Sequence, residues 1–174
     1  MPFLLDTNIV SDIIRNPKGP AARRFRHHPL NQMMTSIIVA AELRFGLLRR
    51  AAPIQQARLE ELLGRLAVAP FEEPADRIYA ELRTELERRG TPIGANDMLI
   101  AAHALALDRI LVTANEREFL RVPGLRVEDW LARRAEPAAQ PFHSMIVRQS
   151  RPSKPNSSKE AMRKKRLWRP VTII

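Results

Sequence analysis

The sequence predicts an α/β fold in which a central parallel sheet of short strands is flanked by helices, and three observations carry that expectation. Short apolar runs recur at Phe3–Leu5, 33–35, 110–113 and 125–127. Segments with helical spacing separate them, an alternation that implies parallel strands joined by crossover helices. One of those helices, 98–107, is apolar almost all round, as a helix must be when it is buried on a sheet.

Taken in order, Phe3–Leu5 stops at Asp6-Thr7-Asn8, residue types that favour helix caps, and Ile9, Val10, Ile13 and Ile14 follow at helical spacing. A strand therefore runs straight into a helix. The Arg-rich stretch 21–28 reads as a short solvated helix closed off by Pro29, before the strand at 33–35. From 36 to 50 the spacing is helical, with Ile38, Ala41, Phe45 and Leu48 as the expected apolar stripe, and 55–66 repeats the pattern after Pro53. After a brief apolar run at 68–71, Pro74 and Gly90 bracket a long helix rich in Glu and Arg. A loop at 91–96 leads into the apolar helix, and beyond Trp130 the periodicity ends.

The 174 residues suit one domain, expected at 1–134, followed by an extension at 135–174. The extension is rich in Pro, Ser, Gln, Lys and Arg and is expected to be disordered. Of the formal charge of +10, the first 134 residues contribute 20 Lys plus Arg against 17 Asp plus Glu, and the extension contributes 9 against 2. A basic balance suits a polyanion but equally a solvated tail, so charge alone selects no activity. The absence of cysteine excludes disulfides, thiolate zinc sites and a cysteine nucleophile. The longest apolar run is about half of the ~20 residues that span a bilayer, and no signal-peptide pattern opens the chain, so a cytoplasmic protein that does not enter membranes is expected.

Four carboxylates stand where chemistry is possible. Asp6 ends the first strand, where open parallel sheets place their ligand crevice, although a lone Asp there is more simply a helix cap. Glu42 lies on or beside an apolar stripe, and a buried charge needs a partner, for which Arg44 and Arg49 are candidates. Asp97 opens the apolar helix, where the dipole favours an anion. Glu118 follows the strand at 110–113, with Glu116 as its competitor. Each has an ordinary explanation. Together they put acids at several strand-to-helix junctions on one edge of one sheet, where mutual repulsion calls for a cation. Magnesium, or manganese in its place, takes oxygen ligands, bridges to phosphate and activates water, which points to phosphodiester hydrolysis. Phosphate chemistry based on a fixed lysine is disfavoured, since Lys18 is the sole lysine before the extension and no Gly-rich phosphate loop is present. The histidines lack zinc spacing and read as packing or surface groups.

Five segments carry a family resemblance: Leu4-Leu5-Asp6-Thr7-Asn8, Ala41-Glu42-Leu43-Arg44-Phe45-Gly46, Gly94-Ala95-Asn96-Asp97-Met98-Leu99-Ile100-Ala101-Ala102-His103-Ala104, Leu111-Val112-Thr113-Ala114-Asn115-Glu116-Arg117-Glu118-Phe119 and Val122-Pro123-Gly124-Leu125-Arg126-Val127-Glu128-Asp129-Trp130. In this order and spacing, over 1 to about 134, the chain resembles the VapC toxins, PIN-domain ribonucleases of bacterial and archaeal toxin-antitoxin pairs. The resemblance implies a PIN-like fold, a magnesium-dependent endoribonuclease, a VapB-type antitoxin partner and a homodimer. It matches Asp6 and Asp97 to the metal-binding aspartates, and Glu42 and Glu118 to the remaining acids of the cluster. Thr7, Asn8, Thr113 and Asn115 are then groups that orient the carboxylates. Asn115 stands where some relatives carry an aspartate. The helices between 37 and 66 offer apolar faces as candidate surfaces for the antitoxin and a second copy. The extension departs from the family pattern, and its Arg163-Lys164-Lys165-Arg166 cluster would bind phosphate weakly. Two other readings compete: a catalytically inactive PIN-like module that binds RNA or an antitoxin, and a DNA or flap nuclease.

Overall fold

The computed structural model describes residues 2–132; the extension expected from 135, its expected disorder and the boundary at 134 lie outside the described residues. Five strands form one parallel sheet: β1 (Phe3–Leu5), β2 (Met33–Ser36), β3 (Ala67–Ala69), β4 (Ile110–Val112) and β5 (Val127–Glu128). Their order across the sheet is β3-β2-β1-β4-β5. The central strand pairs in register with both neighbours, Leu5 standing opposite Thr35 on β2 and Val112 on β4. Leu4, Leu5, Leu111 and Val112 are fully buried, as strands covered on both faces require.

The chain leaves β1 toward β2 and later returns to the other side of β1 as β4, so the order of connection reverses between β1 and β4. A crevice opens at the carboxyl ends of strands at such a reversal. The α/β architecture expected from the alternating pattern is therefore present, with seven helices among the described residues flanking the sheet.

Helix α1 (Thr7–Arg15) buries Ile9, Val10, Ile13 and Ile14. Helix α2 (Pro20–His27) starts on Pro20 and a short 3-10 turn, Leu30–Gln32, feeds β2. Helices α3 (Ile37–Arg49) and α4 (Pro53–Leu63) pack on each other, and α5 (Ala75–Arg88) packs on α6 (Ala95–Ala106). A single turn, α7 (Glu116–Phe119), follows β4. The expected chain bounds shift by a few residues at β3, β5 and the start of α6, which takes in part of the segment read as a loop.

One expectation needs correction. The stripe foreseen on α3 faces the wrong way: Val39, Ala40 and Leu43 are buried, while Phe45 and Leu48 are 65% and 68% exposed. The helix is apolar on more than one face, so spacing alone does not select the docked side. Packing against α1, α4, α6, β2 and β3 selects it. Trp130, fully buried, closes the domain by stacking near His28 and meeting Phe3 edge-on.

Candidate active site

The end of β1 delivers Asp6 into the crevice, because its N–H still bonds to Val112 as a continuation of the ladder while its backbone already caps α1. The side chain is 3% exposed. Three donors hold it: the Thr7 N–H on Oδ1 at 2.6 Å, and on Oδ2 the Thr113 hydroxyl at 2.6 Å and the Asn8 amide at 2.7 Å. Asn8 also donates to Thr113 at 3.0 Å and accepts from the Ala114 N–H at 2.9 Å, tying the ends of β1 and β4 together. Burial raises the Asp6 pKa above its usual value, the three donors pull it down, and the charge of Glu42 adds to the rise.

Glu42 projects from α3, six residues past the Ser36 cap. Its partners are not the expected arginines. Thr7 donates its hydroxyl to Oε2 and Asn96 donates its amide to Oε1 at 2.6 Å. Arg44 is instead bound in a two-pronged pair to Glu60, both contacts 2.8 Å, and Arg49 lies over the Phe45 ring. Asn96 is thus a site residue that the sequence reading named only within a motif. Its place immediately before Asp97 was the available signal.

Asp97 sits in the first turn of α6. Among the described residues, no donor hydrogen-bonds its carboxylate. The backbone at Gly94 gives it room, since a Cβ there would stand 2.9 Å from Oδ2. Desolvation, followed by the charges of Asp6, Glu42 and Glu118, pushes its pKa up to about 6. Asp6, Glu42 and Glu118 are thus near enough for their charges to act on Asp97.

Glu118, on α7, pairs with Arg121 at 3.3 Å, which also bonds to the Pro92 carbonyl. Glu118 is among the charges that raise the Asp97 carboxyl, and Glu116 is not. Thr113 bridges Asp6, Asn8 and the Asn115 N–H. Asn115 itself takes part through its backbone, and its side chain makes no hydrogen bond among the described residues.

The donors presented are all oxygens, and the Asp97 lone pairs are free, which fits a hard divalent ion. Among the described residues no three acidic or histidine side chains form a ready-made cage. Magnesium binds through one or two carboxylates and keeps several waters, so this openness suits it.

Comparison with known proteins adds an independent line. The PIN domain family pattern matches residues 3–125. The chain is 41% identical over 132 residues to "Ribonuclease VapC2" of Rickettsia felis, an alignment covering 75% of this chain and 98% of that protein. It is 37% identical over 131 residues to the "tRNA(fMet)-specific endonuclease VapC" of Salmonella typhimurium, with the same coverage. Among solved structures, the DNA-bound VapBC complex of Salmonella typhimurium superposes with a TM-score of 0.70 at 37% identity, covering 75% of this chain and 98% of that one.

Proposed function

This chain belongs to the PIN domain family, among its VapC members, and on that premise we propose that it is the toxin of a VapBC-type toxin-antitoxin pair, a magnesium-dependent endoribonuclease. The observation that carries the reading is Asp97, in the first turn of α6 with no hydrogen-bond donor on its carboxylate among the described residues, its pKa raised to about 6 by burial and by the charges of Asp6, Glu42 and Glu118. Such crowding costs stability unless a cation is bound, and fold maintenance gives no reason to gather it at a strand-end crevice.

In this reading Asp6 and Asp97 would hold Mg2+, or Mn2+ as a substitute, and the bound ion would supply an acidified water and neutralise charge on the phosphate. The protein's own part is orientation. Thr113, Asn8 and the Thr7 N–H fix the Asp6 carboxylate so that it needs no reorganisation on binding. Thr7 and Asn96 each occupy one Glu42 oxygen, leaving a lone pair on both to steer the attacking water and receive its proton. Glu118 completes the pocket from the α7 side. The water oxygen bonds to phosphorus as Glu42 takes its proton, the bond from phosphorus to the leaving oxygen breaks, and that oxygen takes up a proton from solvent.

A VapB-type antitoxin is the proposed protein partner, because structures similar to this chain are VapBC complexes. The exposed Leu48 and Ile54, on α3 and α4, are candidate contacts for it or for a second copy in a homodimer. No helix of the described residues is long and apolar enough to cross a membrane, and we place the protein in the cytoplasm with its RNA substrate. The inactive-module reading has no observation of its own.

The test is incubation of the full chain and of its Asp6→Asn and Asp97→Asn variants with total RNA, in magnesium and in EDTA, with the product ends mapped. Cleavage confined to the parent in magnesium is expected. Cleavage surviving in both variants would overturn the site, and an inert parent that still binds a VapB-type partner would favour the binding module.

A further inference from the structure

The four acids are held in different ways. Asp6, Glu42 and the start of α6 share one hydrogen-bonded frame: Thr7 donates its N–H to Asp6 and its hydroxyl to Glu42, and Asn96 donates to the other Glu42 oxygen. Glu118 is outside that frame. It stands on α7, a single turn, and one isolated turn is not stable by itself. Phe119 and Val122, both buried, anchor the turn to the core. The Glu118 carboxylate has one hydrogen-bond donor among the described residues, Arg121 at 3.3 Å.

Arg121 does more than pair with its neighbour along the turn. The same nitrogen, Nη1, also donates to the Pro92 carbonyl at 3.1 Å. Pro92 belongs to the segment that leads from α5 into α6 and lies just before Gly94, the N-cap of α6, which has no side chain to cap the helix. The helix then opens with Asn96, which holds Glu42, and with Asp97. The two contacts of Arg121 therefore join the turn carrying Glu118 to the entry of the helix carrying Asn96 and Asp97. The arginines of α5 differ, since Arg83, Arg88 and Arg89 pair with Glu85 and Glu87 along the same helix. Arg121 and Glu118 are partly exposed, and such pairs contribute little to stability, so upkeep of the fold gives little reason for the bridge.

We propose that Arg121 is a positioning residue, which fixes Glu118 relative to Asp97 by bridging the Glu118 carboxylate and the Pro92 carbonyl. The inference rests on the ribonuclease reading and adds to it a residue that acts through the acids. A Glu118 side chain that swings free leaves the pocket incomplete on the α7 side, and an α6 entry that shifts takes Asp97 with it. Outer groups that orient ligand carboxylates change metal affinity or activity by about 10–100-fold. Both contacts come from one nitrogen. A lysine ammonium, with three donors on a flexible stem, can therefore replace them in part, as it could not replace a two-pronged guanidinium pair.

The experiment compares the full chain with its Arg121→Gln, Arg121→Lys and Glu118→Gln variants and with the variant carrying both Glu118→Gln and Arg121→Gln. Two quantities are read: the magnesium dependence of the melting temperature without RNA, and kcat and KM for a fluorogenic single-stranded oligoribonucleotide at several salt concentrations. Arg121→Gln is expected to weaken magnesium binding about tenfold and to lower kcat about tenfold. KM, its salt dependence and the metal-free melting temperature are expected to stay near the parent's. Arg121→Lys is expected to recover most of the loss. In the Glu118→Gln background Arg121→Gln is expected to cost less, because the carboxylate it orients is gone. If Arg121→Gln keeps the parent's magnesium affinity and kcat, the proposal is overturned. If it raises KM and flattens the salt dependence instead, Arg121 is a phosphate contact and the proposal falls. If it melts lower without metal and Arg121→Lys restores no magnesium affinity, the bridge belongs to the fold and the proposal falls. If the two losses multiply in the double variant, Arg121 does not act through Glu118, which also overturns it. In all four cases a parent that cleaves RNA leaves the ribonuclease reading standing. A parent that neither responds to magnesium nor cleaves RNA overturns both.

Discussion

Asp97 combines two features that pull in opposite directions, a first-turn position on a helix and a carboxyl raised to about 6 by burial and three like charges. A carboxyl raised in the folded state favours folding fully below its unfolded value of 3.8, and that contribution is lost as pH rises through about 6. At neutral pH the metal-free protein is therefore destabilised by it. The full shift corresponds to about 3 kcal/mol, and discounting for its partial access to solvent leaves about 1–2 kcal/mol. Asp97→Asn is expected to recover that amount in metal-free urea unfolding at pH 7, to recover nothing at pH 3, and to lower RNA cleavage roughly a hundredfold or more. Magnesium is expected to raise the melting temperature of the parent and not of this variant. Gly94→Ala tests the same carboxylate without touching an acid. A Cβ there would stand 2.9 Å from Asp97 Oδ2, so the short side chain must turn away. Cleavage is expected to fall about tenfold or more, with unfolding free energy changed by less than about 1 kcal/mol, the usual scale for a substitution outside the core.

At the scale of elements, the site depends on how α3 and α6 are held against each other. Ser36 caps α3 by accepting the Ile38 N–H at 3.1 Å, and its hydroxyl also meets His103 Nδ1 of α6 at 2.9 Å. One buried hydroxyl thus joins the helix bearing Glu42 to the helix bearing Asp97. His103 is a packing residue, as its apolar setting suggested, with the Phe71 ring edge-on to it. Burial lowers its pKa, so its contribution to stability is present above the unfolded value of 6.5 and is lost as pH falls through the lower folded value. Ser36→Ala is expected to cost about 1–3 kcal/mol, the sum of a lost cap and an unpaired buried ring nitrogen, read in urea unfolding. Glu42 is expected to lose its alignment with Asp97 in the same variant, lowering kcat more than it raises KM. The reversed face of α3 belongs to this scale too: an apolar pattern established a helix and left its docked side to its neighbours.

For the whole molecule, the curated relatives are covered at 98% by 75% of this chain. The matched region accordingly spans nearly the whole of a VapC, and the basic extension is additional to it. A chain truncated after Arg134 is expected to keep the melting temperature and kcat of the full chain. Its KM for RNA is expected to depend less steeply on salt, since the extension carries 9 basic residues against 2 acidic ones. An unfolded or inactive truncation would show that the extension takes part in the domain.

The sequence by itself determined the alternation of strand and helix, the acids at the junctions and the family, because periodicity and junction chemistry are local properties that survive without coordinates. Asp6, Glu42, Asp97 and Glu118 were legible as candidates for that reason, although each alone had a plainer explanation. Only the tertiary structure decided that all four raise or share one field, that Asn96 rather than an arginine holds Glu42, and that Phe45 points outward beside an open Gly46. Those facts depend on the assembled sheet, whose order β3-β2-β1-β4-β5 sets the ends of β1 and β4 side by side. Charge interaction and hydrogen bonding act over a few ångströms in space, and separation along the chain carries no information about them until the sheet is assembled.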